Sequence, residues 1–141
     1  MKTKILLLLL LVALITFGIT ACDEEEVAPV EHAVPEYQIQ EIGTGSTMFY
    51  FEVINEAGGA TLLRIHTDAT TVGDALAGVG LIAGIQTDFG LMVTHVQGMR
   101  ADFDEDDAWW AFYINGVMAE AGVSDTDIVA GATYAFRFTP A

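Results

Sequence analysis

Between residues 47 and 138 the chain repeats one pattern, in which short apolar runs with alternating large side chains are separated by turns containing Gly, Asn or Asp. Such runs are typical of half-buried β-strands. Strands are predicted, in chain order, at residues 47–55, 60–67, 91–96, 109–114 and 132–138, with residues 117–121 as a candidate short hairpin partner of the fourth strand. After the second strand, Thr71 and Asp74 form a capping pattern ahead of an apolar stretch, which predicts one short helix.

The run Trp-Trp-Ala-Phe-Tyr-Ile-Asn-Gly at 109–116 predicts the central strand of a sheet, ending in the dipeptide favoured in tight hairpin turns. Because side chains alternate along a strand, Trp110 and Phe112 share one side, which we expect to build the core. The opposite side is the predicted ligand surface, provided that the helix does not cover it. The predicted ligand-binding residues on or beside that surface are Phe103, Trp109, Tyr113 and Asn115.

The element order β-β-α-β-β-β with a single helix predicts an α+β fold. We expect a mixed sheet of about five strands with one short helix packed on one face. Residues 47–141 are the predicted domain. Residues 22–46 are rich in Glu and contain Pro29 and Pro35, which predicts an extended, acidic tether.

The N-terminus has the pattern of an export signal. Lys2 and Lys4 precede an apolar run at 5–17, and small residues follow it before Cys22, the only cysteine. This arrangement resembles the lipobox of bacterial lipoproteins, which implies cleavage after residue 21 and lipidation of Cys22. A plain signal peptide and an uncleaved anchor helix are the alternatives. The predicted location is the extracytoplasmic face of a membrane, held by the lipid.

Loss of residues 1–21 removes both lysines and leaves three arginines against 20 acidic residues, a formal charge of −17. Such a charge repels nucleic acid and anionic headgroups and favours cations or basic partners. We therefore expect no nucleic-acid partner, and membrane attachment through the lipid alone.

Several motifs of the predicted domain resemble a bacterial family of domains similar to the C-terminal domain of transcobalamin. They are Thr-Val-Gly-Asp-Ala-Leu at 71–76, Gly-Leu-Ile at 80–82, Gly-Leu-Met-Val at 90–93, Trp-Ala-Phe-Tyr-Ile-Asn-Gly at 110–116, Gly-Val at 122–123 and Gly-Ala-Thr-Tyr-Ala-Phe at 131–136. The resemblance covers about residues 47–139. It implies a β-grasp fold on an exported, surface-anchored protein, and cobalamin or another corrinoid as the ligand.

The acidic run at 102–107 is a candidate calcium site. Asp102, Asp104 and Asp106 have the alternate spacing with which an EF-hand loop begins. The loop then departs from that pattern, because Asp107 stands where the turn needs glycine and Tyr113 where a bidentate Glu belongs. A solvated loop is the alternative. The three histidines, at 32, 66 and 95, are too widely spaced to indicate a zinc site.

No motif of an activated nucleophile is present: the sequence lacks Gly-x-Ser-x-Gly, Ser-x-x-Lys in the predicted mature chain, and a Gly-rich phosphate loop. We therefore expect a non-catalytic binding module for a corrinoid or a component of a larger surface complex. The alternatives are a structural or adhesion module that contacts another protein, and calcium-dependent assembly through the acidic run.

Overall fold

The computed structural model describes residues 39–141. The predicted signal peptide, Cys22 and the tether as far as residue 38 lie outside them. Besides one 3-10 turn at Val123–Asp125, the described residues form nine strands and two short α-helices. In chain order these are β1 (Gln40–Gly43), β2 (Thr47–Ile54), β3 (Ala60–Thr67), α1 (Val72–Gly78), β4 (Ile82–Thr87), β5 (Gly90–Val96), β6 (Met99–Arg100), α2 (Phe103–Asp106), β7 (Ala108–Ile114), β8 (Val117–Met118) and β9 (Thr133–Pro140). None of the helices in this part of the chain has the length and hydrophobicity to cross a bilayer.

Six strands form a mixed sheet in the order β1-β3-β2-β9-β7-β8. The pairs β1–β3 and β2–β9 are parallel, and the other neighbours are antiparallel. The sheet places β9 between β2 and β7, so β7 is one strand away from the edge rather than central. The remaining strands, β4, β5 and β6, form a second antiparallel sheet.

The core lies on one face of the six-stranded sheet, hereafter the core face. On β2 every second residue is buried, Phe49, Phe51 and Val53, as the alternating pattern requires. These side chains join the rings of Phe112 and Phe136, whose centroids lie 5.1 Å apart. Helix α1 and the three-stranded sheet contribute to the same apolar cluster, so both cover the core face.

Helix α1 begins as the sequence predicts. Thr71 has an extended backbone, and its hydroxyl accepts a hydrogen bond from the Asp74 N–H at 3.2 Å. The backbone of Val72 also donates to Thr126 O, which ties the start of the helix to the 122–128 segment. Gly73 is packed so tightly there that a Cβ would lie 3.1 Å from Ser124 Cα.

The α+β class is observed, but the arrangement is richer in strands than the single sheet of about five strands that the sequence predicts, and it does not closely match the β-grasp fold that the resemblance implies. Two sheets are present within residues 39–141, and the acidic run contains a second short helix. No strand is predicted between the helix and residue 91, yet β4 forms there, because a register shift at Ala83/Gly84 disrupts the alternation that predicts strands. Strand β1 lies within the predicted tether, 22–46, and pairs with β3.

Candidate functional site

The two sides of β7 differ as its alternation predicts. Trp110 and Phe112 are buried in the core, whereas Trp109, on the opposite side, is 37% exposed and Tyr113 is partly exposed. We call that opposite side of the six-stranded sheet the open face. Strand registers place the following side chains on it: Tyr50, Glu52, Ile54, Leu62, Arg64, Trp109, Tyr113, Met118 and Arg137.

Helix α1 does not cover the open face. Its buried residues Val72, Ala75 and Leu76 belong to the core cluster, together with Trp110 and Phe112. The three-stranded sheet packs on that same side, because Ile82 and Val96 are members of the cluster too. Within residues 39–141, no helix or second sheet therefore lies over Trp109 and Tyr113.

Arg137, which the sequence-based prediction omits, lies beside the two predicted rings. Its guanidinium carbon is 4.2 Å from the centroid of the Tyr113 ring, a cation–π contact. In the register between β9 and β7, Arg137 is opposite Ala111, which stands between Trp109 and Tyr113. The alternation of β9 could have shown from sequence that Arg137 faces away from the core, because it has the opposite parity to the core residues Tyr134 and Phe136.

A second arginine–tyrosine pair lies near the other edge of the open face. The Arg64 guanidinium carbon is 5.7 Å from the Tyr50 ring centroid, and its Nη1 forms an ion pair with Glu41. His66 Nε2 lies 2.5 Å from the other oxygen of the same carboxylate. The His66 hydrogen bond, followed by Arg64, holds the pKa of Glu41 below its usual value. This cluster joins β1 to β3.

Asn115 stabilises the hairpin between β7 and β8. Asn115 and Gly116 both have positive φ, 48° and 82°, as a tight hairpin turn of this kind requires. The Asn115 Oδ1 accepts a hydrogen bond from the Thr133 N–H at 2.9 Å. The side-chain oxygen thus holds the turn against β9, and the role of Asn115 in ligand binding stays a prediction.

The acidic run forms α2 and its cap. Asp102 Oδ1 accepts hydrogen bonds from the N–H groups of Asp104 and Glu105, at 3.0 and 3.2 Å, so it is the N-cap. Asp106 forms a two-bond ion pair with Arg100, at 2.8 and 3.0 Å, which lowers the pKa of Asp106. Phe103 is 63% exposed at the start of this helix.

These contacts change the interpretation of the candidate calcium residues. Asp102 binds the helix backbone and Asp106 binds Arg100, so two of the three predicted ligands already have partners within the protein. In the part of the chain that the structure describes, no group of three or more His, Cys, Asp or Glu side chains is arranged to hold a metal ion. Asp102, Asp104 and Asp106 do not point toward one common coordination point, because residues 103–106 are helical rather than extended.

An open pocket of about 290 Å³ lies at the start of β4. It is lined mainly by small or aliphatic residues and by one imidazole, that of His95: Gly80, Leu81, Ile82, Ala83, His95 and Gly98. His95 Nδ1 lies 3.0 Å from Thr94 Oγ1, which accounts for one ring nitrogen. The pocket is distinct from the open face, because Ile82 belongs to the layer that covers the core face.

Residues 69–139 match the model of a domain of unknown function, DUF4430. The chain belongs to this family. The match begins just before α1 and extends through β9, so it includes Trp109, Tyr113 and Arg137. No curated protein sequence matches the chain.

Solved structures that share the fold of this DUF4430 protein include the following two. One is a protein from Ruminococcus gnavus ATCC 29149, provisionally described as metal binding; it is 22% identical, with a TM-score of 0.64 over 68% of this chain and 99% of that one. The other is haptocorrin in complex with Cbi, 13% identical, with a TM-score of 0.57 over 70% of this chain and 26% of haptocorrin. At these identities the likeness is one of fold, and it agrees with the transcobalamin-like resemblance at that level.

Proposed function

We propose that this chain is a non-catalytic binding module, held at the extracytoplasmic face of a bacterial membrane by a lipid on Cys22, and that its ligand lies on the open face. The observation that carries the proposal is the position of Trp109 and Tyr113. They project from β7 on the side of the sheet that no described element covers. Amphipathic rings of this kind supply apolar contact area together with a polar tip.

A corrinoid is the first ligand to test. The motifs at 71–136 resemble transcobalamin-like domains, and haptocorrin, which shares the fold, was solved with Cbi bound. Trp109 and Tyr113 are four residues apart on one side of a strand, so their Cα atoms are separated by roughly 13 Å. A flat ligand larger than a single aromatic ring can contact both.

Tryptophan fluorescence tests this directly, because one of the two tryptophans lies on the open face and the other in the core. The predicted mature chain, residues 22–141 with Cys22→Ser to prevent lipidation, is titrated with cobinamide and with cobalamin. We expect quenching that saturates at micromolar ligand and is lost in Trp109→Phe. The matched control, Trp110→Phe, retains the quenching because the Trp110 ring packs against Phe138 and its Nε1–H bonds to Met99 O.

A flat titration by a folded protein through the micromolar range would count against a corrinoid ligand. Equal quenching in Trp109→Phe and the parent would place the ligand elsewhere, with the pocket at His95 as the next place to look.

The absence of catalysis is part of the same proposal. It is supported by the lack of any nucleophile–base motif in the sequence.

A second candidate, contact with another protein, is favoured by the hairpin between β4 and β5. Phe89 at its turn is 92% exposed, and the cross-strand pair Ile85 and Met92 is about half exposed. A cluster of exposed large apolar residues marks an interaction site. Sedimentation velocity of the parent and of Phe89→Ser tests self-association through this tip. Association of the parent that disappears in the variant supports a contact through this tip. If the parent and the variant are both monomeric, self-association through the tip is excluded.

A further inference from the structure

Arg137 is the one arginine of residues 39–141 without a carboxylate at ion-pair distance in that part of the chain. Arg64 pairs with Glu41, and Arg100 pairs with Glu105 and Asp106. Arg137 could have had such a partner, because Glu52 lies on the adjacent strand β2 on the same face. The described residues contain 14 acidic side chains and three arginines. Among the described residues, Arg137 is therefore the arginine whose charge is left for an anion from outside the domain.

Arg137 is also held in a defined position. Ala111, its register partner, is fully buried although it belongs to the open face, and it stands between Trp109 and Tyr113 on β7. Arg137 is the neighbour of Ala111 on the next strand, so its side chain starts level with the space between the two rings. Its Cζ lies over the Tyr113 ring, and its Nε is buried without a hydrogen-bond partner among the described residues.

A stacked guanidinium still offers the N–H groups of its terminal nitrogens in its own plane, in a fork that matches the two oxygens of a carboxylate. The contact with Tyr113 fixes this fork before any ligand arrives. Part of the cost of ordering a long side chain is therefore met in the free protein.

We propose that Arg137 receives the carboxylate, or a similar oxyanion, of a ligand whose flat apolar part lies against Trp109. This inference depends on the proposed function, because it names a group carried by the ligand of the same open face. Cobalamin has such an oxyanion in its phosphodiester, whereas cobinamide, whose side chains are amides, has none. Residues 39–141 carry a formal charge of −11, from three arginines and 14 acids. An anion approaches such a surface only where a local cation outweighs the general repulsion, and Arg137 is that cation.

Two fluorescent probes separate the anionic from the apolar part of recognition. Anilinonaphthalene sulfonate carries one oxyanion on an aromatic body, and N-phenyl-1-naphthylamine has a similar body without the charge. Both are titrated into the predicted mature chain and into Arg137→Gln. We expect the variant to bind the sulfonate about tenfold more weakly, as the loss of a charged hydrogen bond implies, with the neutral probe unchanged. Arg64→Gln is the matched control and leaves both affinities as they are, because Arg64 is already paired with Glu41.

Each outcome decides between the two proposals. Equal sulfonate affinity in Arg137→Gln and the parent overturns the role of Arg137. A parent protein that binds the neutral probe as tightly as the sulfonate also overturns it, and that comparison needs no variant, so it holds even where Arg137→Gln fails to fold. If Trp109→Ala weakens both probes while Arg137→Gln weakens neither, only this inference fails. If Trp109→Ala weakens neither, the open face itself is not the site.

Discussion

Phe112 and Tyr113 are neighbours in the chain, yet they lie in different surroundings. Phe112 faces the core, stacked at 6.3 Å from the Tyr134 ring and 5.1 Å from the Phe136 ring. Tyr113 faces the other side, where its ring contacts a guanidinium and remains partly exposed. The comparison teaches that one strand carries two sets of side chains: the even-numbered residues stabilise the core, and the odd-numbered ones form the open face, where we propose that the ligand binds.

Paired truncations on β7 give the largest expected difference. Phe112→Ala removes a core ring and should lower the free energy of unfolding by about 3–5 kcal/mol. Tyr113→Ala loses a partly exposed ring and one cation–π contact, so we expect a loss of about 1 kcal/mol. Urea denaturation of both variants measures the difference. Similar losses in the two proteins would show that the open face is packed as tightly as the core.

A smaller effect is expected for a hydroxyl on the core face. The Tyr134 hydroxyl accepts from the Val129 N–H at 2.9 Å and donates to Asp127 O at 3.1 Å. Tyr134→Phe leaves these part-buried groups without a partner and should cost about 1–2 kcal/mol. Tyr113→Phe is the control on the open face, where the ring and its contact with Arg137 persist. If both changes have the same effect in chemical denaturation, the Tyr134 hydrogen bonds contribute nothing.

The edge of the open face should respond to acid through Glu41. Its pKa is below the usual value of 4.5 in the folded protein. The stabilisation from its pairs with His66 and Arg64 is therefore complete above pH 4.5 and is lost as the pH falls through the lowered pKa. The melting temperature of Glu41→Gln should accordingly lie below that of the parent at neutral pH, with the gap closing in acid. A gap that is constant across the titration would contradict this.

The smallest effect is expected for calcium, which involves neither face. Asp102 caps α2 and Asp106 binds Arg100, so millimolar calcium should leave the melting temperature unchanged. A ligand that binds only the native state raises its stability by mass action. A clear upward shift that is absent in Asp104→Asn would restore the acidic run as a metal site.

Local patterns account for the parts of the fold that were predictable from sequence. Alternation placed Trp110 and Phe112 in the core, and Asn115 with Gly116 made the hairpin turn. The cap of α1 followed from Thr71 and Asp74. Each of these features depends on residues within one strand, turn or helical turn, where the physical preferences of the side chains decide the structure.

The features that were missed depend on distant partners or on competing uses of one residue type. Strand β1 has four residues and exists through parallel pairing with β3, more than 20 positions away. Gly84 permits the close approach of β4 to β5, since a Cβ there would lie 1.9 Å from Met92 O, and the register shift hides the alternation. Asp102 has the side chain of a metal ligand and equally that of a helix N-cap. The position of Arg137 beside Trp109 and Tyr113 depends on the strand register that places it opposite Ala111, and that register is not visible in the sequence.

The position of β9 between β2 and β7 has a consequence for the order in which the molecule assembles. Synthesis delivers β2 and β7 first, but they are not adjacent, and the sheet stays in two pieces until residues 133–140 arrive to join them. Contacts over such long sequence separations slow the search for the native state. Arg137 belongs to that same late strand and lies opposite Ala111 of β7. The strand that joins the two parts of the sheet therefore also brings the arginine of the open face into place.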